Sequence, residues 1–372
     1  LTATATKYPS DPVYWFMDTF LTYAEFKNLV DRFATGLSKR GVKKGDVIGI
    51  FLPNSFQYVI SYYAITSLGA IATGINPTYK PREVLHQHRL TGAHRIITLD
   101  FLYQETLLDI IDEWEFTEVI YTNIVDLAKD MPRWKKILGK LFHKIPSAKV
   151  HHRNAVSFRQ LLQTPIDLPP VHINAETDTA TLIMTGGTTG VPKAAELTHL
   201  NCVANAQQAK LFLTQQINPK EEIDLGNKTG VIGVLPLFHS YAHTVIMNSV
   251  VCVGAWAALF PKPPPSEELL RTVSQLPNYN YFIYPGVEIL FQRIAELSQT
   301  IINKYQFHQY LKICASAAGP LHDYVRTPFE TKTQAKLTEL YGLTEASPGV
   351  SANNFYGLRE SGTLGVPLPG TD

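Results

Sequence analysis

Apolar residues along this chain follow two spacings in turn. Tyr23, Phe26, Leu29, Val30, Phe33 and Leu37 recur at three and four residues, the stripe of an amphipathic helix that Gly41 stops. Thr22 can cap that helix while Glu25 reaches back to it. Residues 47–52 instead form an unbroken apolar run closed by Pro53-Asn54, the pattern of a strand buried on both faces of a parallel sheet. The alternation repeats with a helix over 56–68, a strand at 70–75, a helix opened by Pro81 and closed by Gly92, and a strand at 95–99. A helix over 102–114 and a strand at 118–122 follow. Strand and helix in turn, joined by short Gly, Pro and Asn connections, predict an α/β sheet flanked by helices.

Thr164-Pro165 to Pro169-Pro170 reads as a connector, after which the glycine-rich stretch 185–193 is expected to open the second α/β half. Strands are predicted at 230–235, 256–260, 281–284, 312–315 and 336–340, with helices near 244–253, 266–276, 287–297 and 324–331. Thr198 is placed to cap a helix, and Glu267 and Glu268 fall in the first turn after Lys262-Pro263-Pro264-Pro265, where they favour the helix dipole. The fold predicted is therefore α/β, two packed subdomains with mostly parallel sheets in αβαβα layers. The first spans 1–170 and the second 171–372, ending at the start of a small β subdomain.

One segment departs from the pattern. Between Met131 and Val150, Trp134, Ile137, Leu138, Leu141, Phe142 and Ile145 recur at helical spacing. Arg133, Lys135, Lys136, Lys140 and Lys144 fill the remainder, with no acid among them. A basic amphipathic helix can lie on an anionic membrane surface or dock on its own domain with its basic face solvated. Both readings stay open.

Composition narrows the function classes. A net charge of +1 over 372 residues gives no general argument for nucleic-acid binding. Cys202, Cys252 and Cys314 lack any zinc-type spacing and suit buried thiols in a reducing compartment. No signal peptide is visible at the first residues, and the longest apolar stretch, 245–260, falls short of the roughly 20 residues that span a bilayer. A cytoplasmic location, with peripheral membrane contact through 131–149, is the expectation.

The stretch richest in chemistry is 185–193, T-G-G-T-T-G-V-P-K, directly after the apolar run Thr181-Leu182-Ile183-Met184. Three glycines and three threonines closed by a Pro and a Lys let backbone, hydroxyls and an ammonium approach a polyphosphate. It is not a GxxxxGK[ST] loop, since Lys193 follows Val-Pro and precedes Ala194. No GxGxxG follows a strand, which argues against a nicotinamide cofactor. Three later stretches each end a predicted strand: Pro236-Leu237-Phe238-His239, Ala317-Ala318-Gly319-Pro320 and Tyr341-Gly342-Leu343-Thr344-Glu345. Strand ends of an open α/β sheet are where ligands bind, so these can line one crevice with the glycine loop. Small residues before a proline, an aromatic, a threonine and a carboxylate suit a flat base, a phosphate and a metal ion. His239 and His243 at i and i+4 lack a third metal ligand.

Together these stretches resemble the ordered signatures of the adenylate-forming, AMP-binding superfamily. Thr198-His199-x-Asn201, Thr22-Tyr23-x-Glu25, Gly45-Asp46-Val47 and Ile75-Asn76-Pro77-x-Tyr79 fit as well, so the resemblance runs over essentially the whole chain. Within it the chain is most similar to long-chain fatty-acid CoA ligases, through Gly186, Ala242, Pro81-Arg82-Glu83 and the basic insertion. The resemblance implies that Thr185, Gly186, Gly187, Thr188, Thr189, Gly190 and Lys193 meet the phosphates of ATP. It implies that Ala318, Gly319 and Pro320 pack on adenine, with Tyr341 on the other face and Glu339, Leu340 and Gly342 completing the nucleotide site. Thr344 would bind the α-phosphate, Glu345 would hold Mg²⁺, and His239 would sit where the carboxylate enters an acyl tunnel.

The implied reaction joins a fatty acid to ATP as acyl-adenylate and then transfers the acyl group to coenzyme A, with Lys193, His239, Thr344 and Glu345 in catalytic roles. A homodimer is one implied assembly. Ala194 stands where such proteins usually have Gly. The resemblance also implies a C-terminal domain that lies beyond Asp372, so the stretch reads as a fragment not expected to complete either half-reaction efficiently. Alternatives are a fatty acyl-AMP ligase, an aryl or short-chain acid ligase, and a non-catalytic nucleotide- or acyl-binding module.

Overall fold

The computed structural model describes residues 1–113, 117–142, 144–186, 192–216, 226, 228–276, 281–355, 357, 359, 360 and 362–371, with no side-chain placement for 215, 216, 308 and 312. Thr22 opens the first long helix as its sequence suggests. Its Oγ1 accepts the Glu25 N–H at 3.2 Å, and the Glu25 carboxylate accepts the Thr22 N–H at 2.9 Å. The helix Tyr23–Lys39 then buries Tyr23, Phe26, Val30, Phe33 and Leu37, the predicted stripe apart from the partly exposed Leu29.

Two sheets carry the fold. The smaller runs, edge to edge, Ala155–Ser157, Glu118–Thr122, Arg95–Leu99, Val47–Phe51, Ile71–Gly74, Thr179–Thr185 and Lys193–Thr198. All its pairings are parallel except the last. The larger runs Val366–Pro367, Gly349–Ala352, Lys336–Gly342, Leu311–Ser316, Tyr281–Gly286, Thr229–Gly233, Trp256–Leu259, Pro12–Phe16 and Thr19–Thr22. Its middle is parallel and both ends close with antiparallel strands. The helix Phe56–Ser67 is buried on nearly every face and shares one apolar cluster with strands of both sheets. Helices thus lie between the sheets as well as outside them, as an αβαβα layering requires.

Sheet membership does not follow chain order. Residues 12–22 join the larger sheet and 179–198 join the smaller, so the halves drawn at residue 170 interlock. The glycine stretch therefore does not open the second sheet; it connects an antiparallel hairpin at the edge of the first. Ala194-Ala195-Glu196 carries no β-branched residue, which hides that edge strand from pattern reading. The first hairpin is hidden too, because Met17 and Asp18 turn it at φ +46° and +62° without the usual Asn-Gly.

The helix predicted over 102–114 is a composite, with a π turn at Tyr103–Leu107 and a 3₁₀ turn at Leu108–Ile110. The basic segment forms a helix only over Arg133–Leu141 and buries none of its residues, so it is not docked on its domain by its apolar face. Among the described residues no helix is long and apolar enough to cross a membrane.

Candidate active site

Four parallel strands of the larger sheet, Thr229–Gly233, Tyr281–Gly286, Leu311–Ser316 and Lys336–Gly342, end on the same side. The strand ends and the segments that follow them bring His239, Ser240, Pro285, Ala317, Ala318, Tyr341 and Thr344 around one cavity of about 270 Å³.

A residue from the other sheet fixes the histidine segment. Asn54, buried just after Val47–Phe51, donates from Nδ2 to the carbonyls of Gly233 at 3.2 Å and Leu235 at 2.8 Å, and its Oδ1 accepts the Leu237 N–H at 2.9 Å. Gly74 makes room for the same segment: a Cβ there would lie 2.9 Å from Phe238 Cα. Held this way, the chain enters the helix at Ser240 with His239 as its cap, Nδ1 accepting the Tyr241 N–H at 3.2 Å. That bond places the ring proton on Nε2 and leaves it as a donor. Desolvation by the surrounding walls lowers the His239 pKa, which favours the neutral ring.

Opposite His239 the backbone folds back on itself. Lys336–Gly342 passes through a short turn, Thr344–Ala346, into Gly349–Ala352. Gly342 permits this, since a Cβ would fall 2.3 Å from the Pro348 carbonyl oxygen. Ser240 Oγ and Thr344 Oγ1 then sit 3.1 Å apart, two hydroxyls facing one point at the mouth. Both strands of the glycine hairpin, Thr179–Thr185 and Lys193–Thr198, lie beside the same turn.

Thr185 and Lys193 face each other at the open end of that hairpin. Gly186 and Lys193 are exposed; Gly187, Thr188, Thr189 and Gly190 lie outside the described residues. Glu345, next to Thr344, is exposed, and among the described residues neither Lys193 nor Glu345 forms an ion pair. A cationic and an anionic side chain thus belong to neighbouring segments without neutralising each other.

Most of the cavity wall is apolar, and three of its polar side chains are engaged elsewhere. Tyr241 donates to the Ala315 carbonyl at 2.8 Å and Thr244 to the Ser347 carbonyl at 2.8 Å. Asn205 clasps Gly349 twice, Nδ2 to its carbonyl at 2.8 Å and Oδ1 from its N–H at 3.0 Å. The apolar walls include Phe212, Val231, Val245, Val250, Ile283 and Phe355; Lys210 also lines the cavity, as does the Ser249 hydroxyl, which has no hydrogen-bond partner among the described residues. Such a space takes a chain or ring and offers it few hydrogen bonds.

Of the sequence candidates, His239, Ala318, Leu340, Tyr341, Gly342 and Thr344 line this cavity; Gly319 and Pro320 are exposed beside it. Glu339 stands behind it and accepts the Leu321 N–H at 3.2 Å, tying the Ala318-Gly319-Pro320 turn to the neighbouring strand; burial raises its pKa. His243 does not pair with His239. It is buried edge-on to Tyr62, 4.8 Å between ring centroids, with burial pushing its pKa down to about 4. Among the described residues no group of three His, Cys, Asp or Glu is placed to hold a metal ion. Pattern reading missed Ser240, Asn205 and Asn54. Asn54 reads as a turn residue after Pro53, and only its long-range hydrogen bonds reveal it.

The whole chain has counterparts among known proteins. The chain is 32% identical over 385 residues to a long-chain-fatty-acid–CoA ligase of Bacillus subtilis, covering 100% of this chain and 64% of that protein. It is 31% identical to a ligase of the same name from Yersinia pestis, covering 99% and 63%. The chain therefore spans about 64% of the length of these relatives. A long-chain-fatty-acid-CoA ligase from Archaeoglobus fulgidus shares the fold with TM-score 0.77 at 23% identity, covering 99% of this chain and 68% of that one. An anthranilate CoA ligase solved with anthranoyl-AMP shares it with TM-score 0.77 at 20% identity, covering 99% and 64%. The AMP-binding enzyme family matches residues 1–372. The match runs over the whole chain, and this chain belongs to the AMP-binding enzymes.

Proposed function

We propose that this chain carries the adenylation site of a long-chain fatty-acid–CoA ligase. The observation that supports this most is the cavity, largely apolar along its walls, with the polar groups of His239, Ser240 and Thr344 gathered together. A fatty acid laid in it places its carboxylate at those groups and its alkyl chain among Val231, Val245 and Phe355.

In the reaction a carboxylate oxygen attacks the α-phosphorus of ATP. The bond to the bridging oxygen breaks, pyrophosphate leaves, and acyl-adenylate forms. The thiol of coenzyme A then displaces AMP. No side chain forms a covalent bond in either step, so the chain's part is positioning and electrostatics. Thr344 and Ser240 present hydroxyls to the α-phosphate oxygens, and the Lys193 ammonium and hairpin backbone offset the phosphate charge. A neutral His239 donates from Nε2 toward the carboxylate without protonating it. Ala318 and Tyr341 bracket the adenine ring. Glu345 is a free, exposed carboxylate, and Mg²⁺ commonly takes one or two carboxylates together with phosphate oxygens, so it suits that ion. The ion would supply charge neutralisation on the polyphosphate.

Val245 tests this reading because its side chain faces the cavity from the helical segment His243–Asn248. Val245→Phe is expected to weaken a hexadecanoyl-adenylate analogue at least tenfold in calorimetry while leaving an acetyl analogue unchanged. Equal loss for both, or for neither, would put the acyl chain elsewhere.

A further inference from the structure

We infer that the helix Arg133–Leu141 docks the protein on an anionic lipid bilayer. Trp134, Ile137, Leu138 and Leu141 fall at i, i+3, i+4 and i+7, one face of the helix, and are 60%, 66%, 41% and 67% exposed. Phe142 extends that face at 65%. The helix buries no residue, so an apolar stripe that would normally meet a core points into solvent.

Charge identifies the occupant. Arg133, Lys135, Lys136, Lys140 and Lys144 flank the stripe, and 131–149 contains no Asp or Glu. Among the described residues none of the five forms an ion pair. A second copy of the chain would set basic surface against basic surface. A bilayer with anionic headgroups takes both parts at once, apolar side chains at the acyl boundary and ammonium groups among the phosphates. The Trp134 ring, with Lys135 Nζ 5.9 Å from its centroid, is of the kind found at that boundary. Nine residues reach about 13 Å along the surface and cannot cross it.

The test is flotation of the 372-residue chain with vesicles of phosphatidylglycerol and phosphatidylcholine in equal parts, against phosphatidylcholine alone. The expected result is binding to the anionic vesicles, released by high salt. It should fall about a hundredfold in the triple variant Lys135→Glu, Lys136→Glu, Lys140→Glu, roughly fivefold for each charge removed. Ile137→Ser with Leu141→Ser is expected to lower binding at least tenfold. A blue shift of tryptophan emission on binding should vanish in Trp134→Phe. These side chains are exposed, so unchanged thermal unfolding marks each variant as folded. Equal binding to neutral and anionic vesicles, or no loss in either variant, overturns the inference. So does a dimer in solution that Ile137→Ser with Leu141→Ser dissociates, or heparin binding as tight as vesicle binding and untouched by that pair.

Discussion

Two hydroxyls 3.1 Å apart, Ser240 and Thr344, come from segments 104 residues apart in the chain and meet only at the cavity mouth. A hydrogen bond to a charged group contributes about 1.5–3 kcal/mol, so Thr344→Ala is expected to weaken a non-hydrolysable acyl-adenylate analogue by about 10- to 100-fold in calorimetry. An unchanged affinity would remove Thr344 from the phosphate site. His243 makes a different prediction. Burial holds its pKa near 4 in the folded protein, below the ordinary value near 6.5, so the unfolded chain binds more protons between those values. Its effect is therefore absent above about pH 6.5, and stability falls as pH drops toward 4. From pH 7.5 to 5 the loss is about 2 kcal/mol from this residue. His88, whose pKa burial also lowers to about 4, adds in the same direction. Urea midpoints should show a shallower pH slope in His243→Asn than in the parent; parallel slopes would show that His243 does not titrate across folding.

At the scale of elements, the site depends on how one sheet grips the other. Asn54 spends all three of its buried hydrogen bonds on the segment that leads to His239. Asn54→Ala strands the Leu237 N–H and two carbonyls, and is expected to cost about 3 kcal/mol in urea unfolding. A loss under about 0.5 kcal/mol would mean the segment is held by packing alone. Here the limits of the sequence are physical. The strand 47–51 was legible as a continuous apolar run, and 95–99 and 118–122 as short β-branched and aromatic clusters in an alternation of strand and helix. The hairpin Thr179–Thr185 with Lys193–Thr198 was not, because an edge strand carries little apolar burial and its partner is set by the sheet. The π turns at Tyr103–Leu107 and His243–Asn248 have no periodic signature at all.

For the whole molecule, motif order located the strand-end segments, and the fold places His239, Ala318, Tyr341 and Thr344 on one cavity. The cavity's depth was not legible. It arises from where Tyr241, Thr244 and Asn205 spend their polar atoms, each on backbone far away in the chain. The central claim is that this cavity holds an acyl chain with its adenylate at the mouth. The most direct measurement is a thermal-unfolding series with non-hydrolysable acyl-adenylate analogues from acetyl to octadecanoyl. A ligand that binds only the folded state adds about 2.7 kcal/mol at a hundredfold excess over Kd. Stabilisation that climbs with chain length to a long-chain optimum is the result expected. Stabilisation that is greatest for acetyl or aryl analogues and declines with length would contradict it.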